Sequence, residues 1–250
     1  MNETRFDGKG EIYAKARPKY AQALFDFLIQ NEVITSDSIV ADVGAGTGIF
    51  TVQMAETAKM IYAVEPNADM REKAEIAFEN YPNIISVSAT AENTTLKDSS
   101  VHCVTVAQAF HWFDRDTFRK ECQRILKPNG AVILIWNDRD SESEIIRANY
   151  ELNKAYCRGF KGTAGGMDFK NSNFSDFFCG TVQTKIFHNP IWYDKEAFIG
   201  RNLSSSYAPK SSDANYAAYV EELDILFDKF SKDGKIEYPY ITRCYIGVVE

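Results

Sequence analysis

The alternation of apolar and polar positions divides the chain into a repeating pattern from Ile39 onward. Ile39-Val-Ala-Asp-Val43 is a short apolar run rich in β-branched residues, as expected of a buried parallel strand. Phe50, Val52, Met54 and Ala55 follow in a mixed pattern compatible with a helix. Met60 to Val64 is a second apolar strand. Ala68 to Tyr81 then carries Met70, Ala74, Ala77 and Phe78 on one helical side, with Asn67 placed to cap it. Ile84–Ser88, Val101–Ala107 and Ala131–Trp136 read as three further strands. A helix from about Asp114 to Leu126 is expected to stop at Lys127-Pro128-Asn129-Gly130. Residues 37–137 thus alternate strand and helix five times, which predicts an α/β fold: an open, mostly parallel sheet wound on both faces.

The chemistry gathers at the tips of these strands. Asp42 ends the first, followed by Gly44-Ala45-Gly46-Thr47-Gly48. A strand, a glycine-rich turn and a helix let backbone approach a ligand closely, beside amides left free at the helix start. The acid at the strand tip suits a ligand with an ammonium group or hydroxyls better than one with phosphates. A nucleoside-type cofactor with an amino-acid tail fits that description. A dinucleotide site would need Gly-x-Gly-x-x-Gly, and the third glycine falls on Ile49 or Thr51, so that fingerprint fails in both frames. Glu65, at the second strand tip before Pro66-Asn67, can accept hydrogen bonds from both hydroxyls of a ribose.

Ala-Asp42-Val-Gly-Ala-Gly-Thr-Gly48, Ala-Val-Glu65-Pro66, Ala91-Glu92, Gln108-Ala-Phe-His-Trp-Phe113 and Leu-Lys-Pro-Asn-Gly130 follow one another in this order. In these motifs the chain resembles the class I S-adenosylmethionine (SAM)-dependent methyltransferases. The likeness is to their small-molecule branch, the ubiquinone/menaquinone-type and trans-aconitate-type enzymes. It is sharp over about residues 10–137 and weaker beyond. It implies a seven-stranded Rossmann-like sheet with helical cap insertions, SAM as cofactor and S-adenosylhomocysteine as product.

The resemblance also implies where SAM is held. Tyr13 and Arg17, in a lid segment, approach the methionyl carboxylate. Asp42, Gly44, Ala45, Gly46, Thr47 and Gly48 form the loop, while Glu65 and Pro66 meet the ribose. Met70, Ala91 and Glu92 lie near the adenine, and Gln108, Ala109, Phe110, His111 and Phe113 stand at the fourth strand tip. Residues 1–36 would be lid and first helix, and residues 37–137 the SAM-binding core. Residues 138–250 would be cap helices plus two final antiparallel strands, the whole forming one domain. Within that last part the pattern predicts helices at Ser143 to about Phe160, Lys195–Leu203 and Asp213 to Ser231, and strands at Thr181–Trp192 and Lys235–Val249. The apolar stripe of the long helix is expected to pack on the sheet or cap a substrate.

His111, among Phe110, Trp112 and Phe113, is the catalytic candidate. It has two readings: a general base, since imidazole titrates near pH 6.5, or a ring in the pocket wall. The wall is favoured, because methyl transfer by direct SN2 displacement needs alignment and dryness more than a base. His102 and His188 fall within strands and read as structural, and the three histidines are too scattered for a metal site. Arg201 and Lys210, near the Ser204–Pro209 turn, are candidates for holding an acceptor's carboxylate, which arginine binds in bidentate fashion.

Composition narrows the partners. A net charge of −7 disfavours nucleic acid and anionic membranes. No apolar run is long enough to span a bilayer, and the first residues lack a signal-peptide shape, so a cytoplasmic protein is expected. Five scattered cysteines without a Cys-x-x-Cys pair fit buried free thiols. The fourth-strand tip lacks the Asp/Asn-Pro-Pro-aromatic signature of DNA amino-methyltransferases. The expected function is therefore methyl transfer from SAM to a small molecule, an organic acid among the candidates, by a monomer or homodimer. The rivals are a non-catalytic SAM-binding regulator and a nucleotide-dependent oxidoreductase.

Overall fold

The computed structural model describes residues 18–160, 162, 174, 176–205 and 207–249. It divides into two compact units: residues 1–137, 173–187 and 242–250, and residues 138–172 and 188–241.

In the first unit, helix α1 (Gln22–Gln30) precedes strand β1 (Ile39–Val43), helix α2 (Ile49–Met54), strand β2 (Met60–Val64), helix α3 (Ala68–Phe78) and strand β3 (Ile84–Val87). Strand β4 (Val101–Ala107), a 3-10 turn (Phe110–Trp112), helix α4 (Arg115–Ile125) and strand β5 (Leu126–Arg139) follow. Strands β6 (Cys179–His188) and β9 (Tyr240–Val248) complete a seven-stranded sheet in the order β3-β2-β1-β4-β5-β9-β6. β1 pairs in parallel with β2 on one side and β4 on the other, and β2–β3 and β4–β5 are also parallel. The carboxyl ends of these strands therefore share one edge. The strand order reverses between β1 and β4, the place where an open α/β sheet leaves a crevice.

Local chemistry sets the helices. Asn67 accepts from Met70 N at the start of α3, and Asp114 accepts from Thr117 N at the start of α4, each satisfying an orphan amide. α1 buries Leu24, Phe25 and Leu28. The Phe25 ring stacks on Phe50 at 5.4 Å, and Tyr20 meets Phe50 edge-on at 5.0 Å.

The second unit contains helix α5 (Glu144–Tyr156), strand β7 (Ile191–Tyr193), helices α6 (Lys195–Leu203) and α7 (Tyr216–Phe230), and strand β8 (Ile236–Tyr238). β7 and β8 form an antiparallel pair. The α7 stripe (Tyr219, Leu223, Leu226, Phe227) packs with Ile145 and Ile146 of α5, Phe198 of α6 and Ile236 of β8. It makes the core of this unit.

Two predicted strands are each divided in two. Thr181–Trp192 breaks at Asn189-Pro190, and Lys235–Val249 breaks at Pro239. Proline has no N–H for a ladder and ends the pairing. The turn at 127–130 interrupts β5 without ending it. Pairing jumps from Val101↔Leu126 to Cys103↔Ala131, and Asn129 takes the left-handed conformation, with φ 65.

Leu223 is fully buried in the second core. Leu223→Ala should lower unfolding free energy by about 2–5 kcal/mol, from lost transfer energy plus the cavity left behind. Urea unfolding measures it, and a loss under about 1 kcal/mol would mean that this core is loosely packed.

Candidate active site

At the switch point the β1 register places Asp42 beside Ala63 of β2 and Thr105 of β4. Asp42 is fully buried, and each carboxylate oxygen accepts one hydrogen bond from a threonine. Thr51 of α2 donates to Oδ2 at 2.5 Å, and Thr105 of β4 donates to Oδ1 at 2.9 Å. The carboxylate thus ties β1, the helix after the glycine loop and β4 together beneath the loop. Burial pushes the Asp42 carboxyl up to about 6, while the two threonine hydrogen bonds pull it down.

Above it the loop is shaped by left-handed glycines. Gly44 has φ 73, and a Cβ there would stand 2.5 Å from Ala109 Cβ. Only glycine lets the β1 loop press against the β4 loop at this point. Gly48 has φ 80 at the N-cap of α2, where a Cβ would meet the Phe78 ring at 2.5 Å. Gly44 N and Ala45 N both donate to Val64 O, at 2.8 and 3.1 Å. Thr47 Oγ1 is buried without a hydrogen-bond partner, the kind of orphan that a bound polar ligand satisfies.

Glu65 joins this loop to the next helix. Its Oε2 accepts from Gly46 N and its Oε1 from Asn67 N, both at 2.9 Å. A carboxylate oxygen has two acceptor sites, so one on each oxygen is left. Burial raises the Glu65 carboxyl above its ordinary value, against the pull of the Asn67 and Gly46 amides and of Arg71. Pro66 is half-buried and Met70 buried on α3.

On the other side Ala91 is buried, and half-buried Glu92 accepts from Asp114 N at 3.0 Å. Gln108 holds φ 60 and donates from Nε2 to Asn137 O at 2.7 Å. Ala109 is buried, while His111 and Phe113 are half-buried, with the His111 ring 4.4 Å from that of Trp112. Phe110 is 1% exposed and meets Phe177 edge-on at 4.7 Å and Phe174 at 5.5 Å. Its ring belongs to the core. Tyr13 and Arg17 lie outside the described residues.

Arg201 is set in the second unit, where its guanidinium stacks over Tyr238 at 4.1 Å and donates to Tyr240 Oη at 3.0 Å. Lys210 is exposed. His102 is held structurally: Nδ1 accepts from Ile39 N at 2.9 Å, and Nε2 lies 3.0 Å from Lys127 Nζ. Thr51 and Thr105 carry weight that local reading of the chain missed. A hydroxyl inside an apolar strand or helix, in register with a buried acid, is the signal that marks them.

A parallel sheet with a glycine loop at its switch point and an acid after each of the first two strands is the arrangement of class I methyltransferases. Residues 41–134 match the family described as "Methyltransferase domain". An uncharacterised methyltransferase-like protein of Schizosaccharomyces pombe is 38% identical over 129 residues, 51% of this chain and 49% of that one. The chain spans about half the length of this and similar curated relatives. A malonyl-[acyl-carrier protein] O-methyltransferase of Marinomonas sp. is 27% identical over 233 residues, 88% of this chain and 84% of its own. Among solved structures, the "Putative Type II Methyltransferase from Anaeromyxobacter dehalogenans" aligns with TM-score 0.66 at 20% identity, over 93% of this chain and 98% of that one, a likeness of fold. Residues 41–134 therefore match a methyltransferase domain, and the sheet has the Rossmann-like fold of the class I methyltransferases.

The raised Asp42 value has a consequence for stability. The native state holds the proton more tightly than the unfolded chain, whose carboxyl titrates near 3.8. Asp42's contribution is therefore fullest below about pH 4 and is lost as pH rises to about 6, then stays constant. The span is on the order of 3 kcal/mol. In urea titrations from pH 4 to 7, wild type should gain on Asp42→Asn by about 2 kcal/mol of that span as pH falls from 6 to 4. A difference independent of pH would show that the carboxylate is not perturbed.

Proposed function

We propose that the protein transfers a methyl group from SAM to a small-molecule acceptor bearing an acidic group. The observation that carries this reading is the Gly44–Gly48 loop clasped by Glu65 at the sheet's switch point, with Thr47 Oγ1 buried and unpartnered beside it. These groups suit a nucleoside with an amino-acid tail. When bound, SAM supplies an electrophilic methyl on a sulfonium.

The free acceptor sites of Glu65 are assigned to the ribose hydroxyls. Thr47 Oγ1 and the loop backbone from Gly44 to Gly48 line the methionyl side, with Tyr13 and Arg17 assigned to its carboxylate. Met70, Ala91 and Glu92 border the adenine, and Pro66 shapes the turn beside the ribose. Gln108, Ala109, His111, Phe113 and the backbone of Phe110 border the reacting end. Asp42 acts through Thr51 and Thr105: it positions the loop without touching the ligand. Arg201 is assigned to the acceptor.

The acidic acceptor draws support from the likeness to a malonyl-[acyl-carrier protein] O-methyltransferase, whose name gives methyl transfer to oxygen on a malonyl group. A carboxylate is already a nucleophile and needs no base. The residues then have to align it with the methyl and keep water out, which adds little net binding but removes much of the entropic barrier. On this reading His111 is part of the wall.

Glu65→Ala should weaken SAM and S-adenosylhomocysteine binding by roughly 1–3 kcal/mol through the lost charged acceptor. Calorimetry on the folded variant checks it, and equal affinity in the two proteins would remove the ribose assignment.

His111→Phe should retain substantial turnover and leave the rate flat between about pH 6 and 8. A fall in kcat of about 10²–10⁴ with cofactor affinity intact would instead assign His111 as general base.

A further inference from the structure

Two arginines of the second unit stand among tyrosine side chains. Arg139, at the end of β5, and Arg201, on α6, are both half-buried. Arg139 lies within electrostatic reach of Arg201 and of the phenols of Tyr207, Tyr238 and Tyr240, and Arg201 within reach of those of Tyr193, Tyr238 and Tyr240. Arg201 stacks on Tyr238 at 4.1 Å and donates to Tyr240 Oη at 3.0 Å, and Arg139 lies within electrostatic reach of the same two phenols. The Tyr193 ring meets Tyr238 edge-on at 6.2 Å, and its phenol feels the Arg201 charge. Among the described residues no carboxylate pairs with either guanidinium. Arg139 Nε is buried without any hydrogen-bond partner.

This arrangement is unfavourable as it stands. A guanidinium cannot shed its proton, so both charges persist at any working pH. Each offers five N–H donors, while the neighbouring protein provides a few phenol oxygens. The Tyr238 hydroxyl donates to Asn149 Oδ1 at 2.9 Å, and it is the ring face of Tyr238 that meets Arg201. Two like charges out of bulk water without a counter-ion cost stability unless an anion joins them. The Tyr240 phenol registers the field: burial raises it, yet Arg201 and Arg139 more than offset that and hold it below its ordinary value.

We propose that Arg139 and Arg201, with the Tyr193 and Tyr240 hydroxyls and the aromatic wall of Tyr238, form a binding site for the carboxylate of a small organic acid. The planar forks give bidentate contact to a carboxylate, and the tyrosine rings supply an apolar surface for the ligand's carbon skeleton. As the acceptor's site it rests on the methyltransferase reading above; as a carboxylate site it stands on the arginine pair alone. Arg139 escaped the sequence pattern because it lies in a polar Asn137-Asp-Arg139 run that reads as the edge of a strand.

The test is calorimetric titration of the full chain at pH 7 and low ionic strength with citrate, succinate and inorganic phosphate, each in separate runs. Citrate or succinate should bind one to one. Arg139→Gln and Arg201→Gln should each weaken it tenfold or more, with Arg201→Lys losing less than the glutamine variant because it keeps the charge and loses the fork. If the glutamine variants do not fold, as judged by near-UV circular dichroism, Arg139→Lys and Arg201→Lys carry the comparison, each expected to weaken binding severalfold. Failure of both carboxylates to bind wild type, binding of phosphate alone, or equal affinity in wild type and every folded variant overturns the site. SAM titrated into the same samples separates the two readings. Carboxylate binding without SAM binding upholds the arginine site and removes the methyltransferase, whereas SAM binding without carboxylate binding overturns the arginine site alone.

Discussion

A carboxylate with no access to water, held between two threonine hydroxyls, organises the candidate site. Asp42 cannot be satisfied by solvent, so Thr51 and Thr105 must stand where they do. That requirement couples the end of β1, the first helical turns after the glycine loop and the middle of β4. Any shift of one against the others would leave a buried charge short of a partner. The desolvation that lifts the Asp42 carboxyl to about 6 measures how dry the position is.

Glu65 extends the same logic one strand outward. Its two oxygens clasp Gly46 N and Asn67 N, so the glycine loop and the start of α3 are held by one side chain. The loop is pressed onto Ala109 on its other side, where only a glycine at 44 leaves room. The loop at the β1–β4 reversal is thus fixed on one side by a carboxylate and on the other by close backbone contact.

The second unit is built on a different economy. Its core is aromatic and aliphatic, but a polar thread runs through it: Tyr219 donates to Asn153, Tyr238 to Asn149, and Asn149 to Asn202. These amide–phenol bonds fix the rings of β8 and α7 so that Tyr238 presents a face to Arg201. Rigid rings beside mobile-charge side chains set the orientation of the guanidinium, which a hydrophobic core alone would leave free.

Much of this was legible in the order of residues. Strand-and-helix alternation, the Asn67 cap, the left-handed glycines and the span Lys195–Leu203 all follow from local periodicity and turn chemistry, which act over a few residues. Pro190 and Pro239 also stood in plain view as strand breakers, although the apolar runs around them read as continuous. Three features were not legible: that Asp42 faces inward to Thr105, that Phe110 turns into a core completed by Phe174 and Phe177, and that Arg139 and Arg201 converge on Tyr240. Each depends on residues far apart in the chain being set side by side by sheet register and packing. A single side chain carries no record of such neighbours. The sequence by itself determined which segments are strand, helix and turn, and which residue types stand at the strand tips. Only the tertiary structure decided which of those groups are buried against a partner and which remain open to a ligand, because burial and pairing arise from contacts that no local pattern encodes.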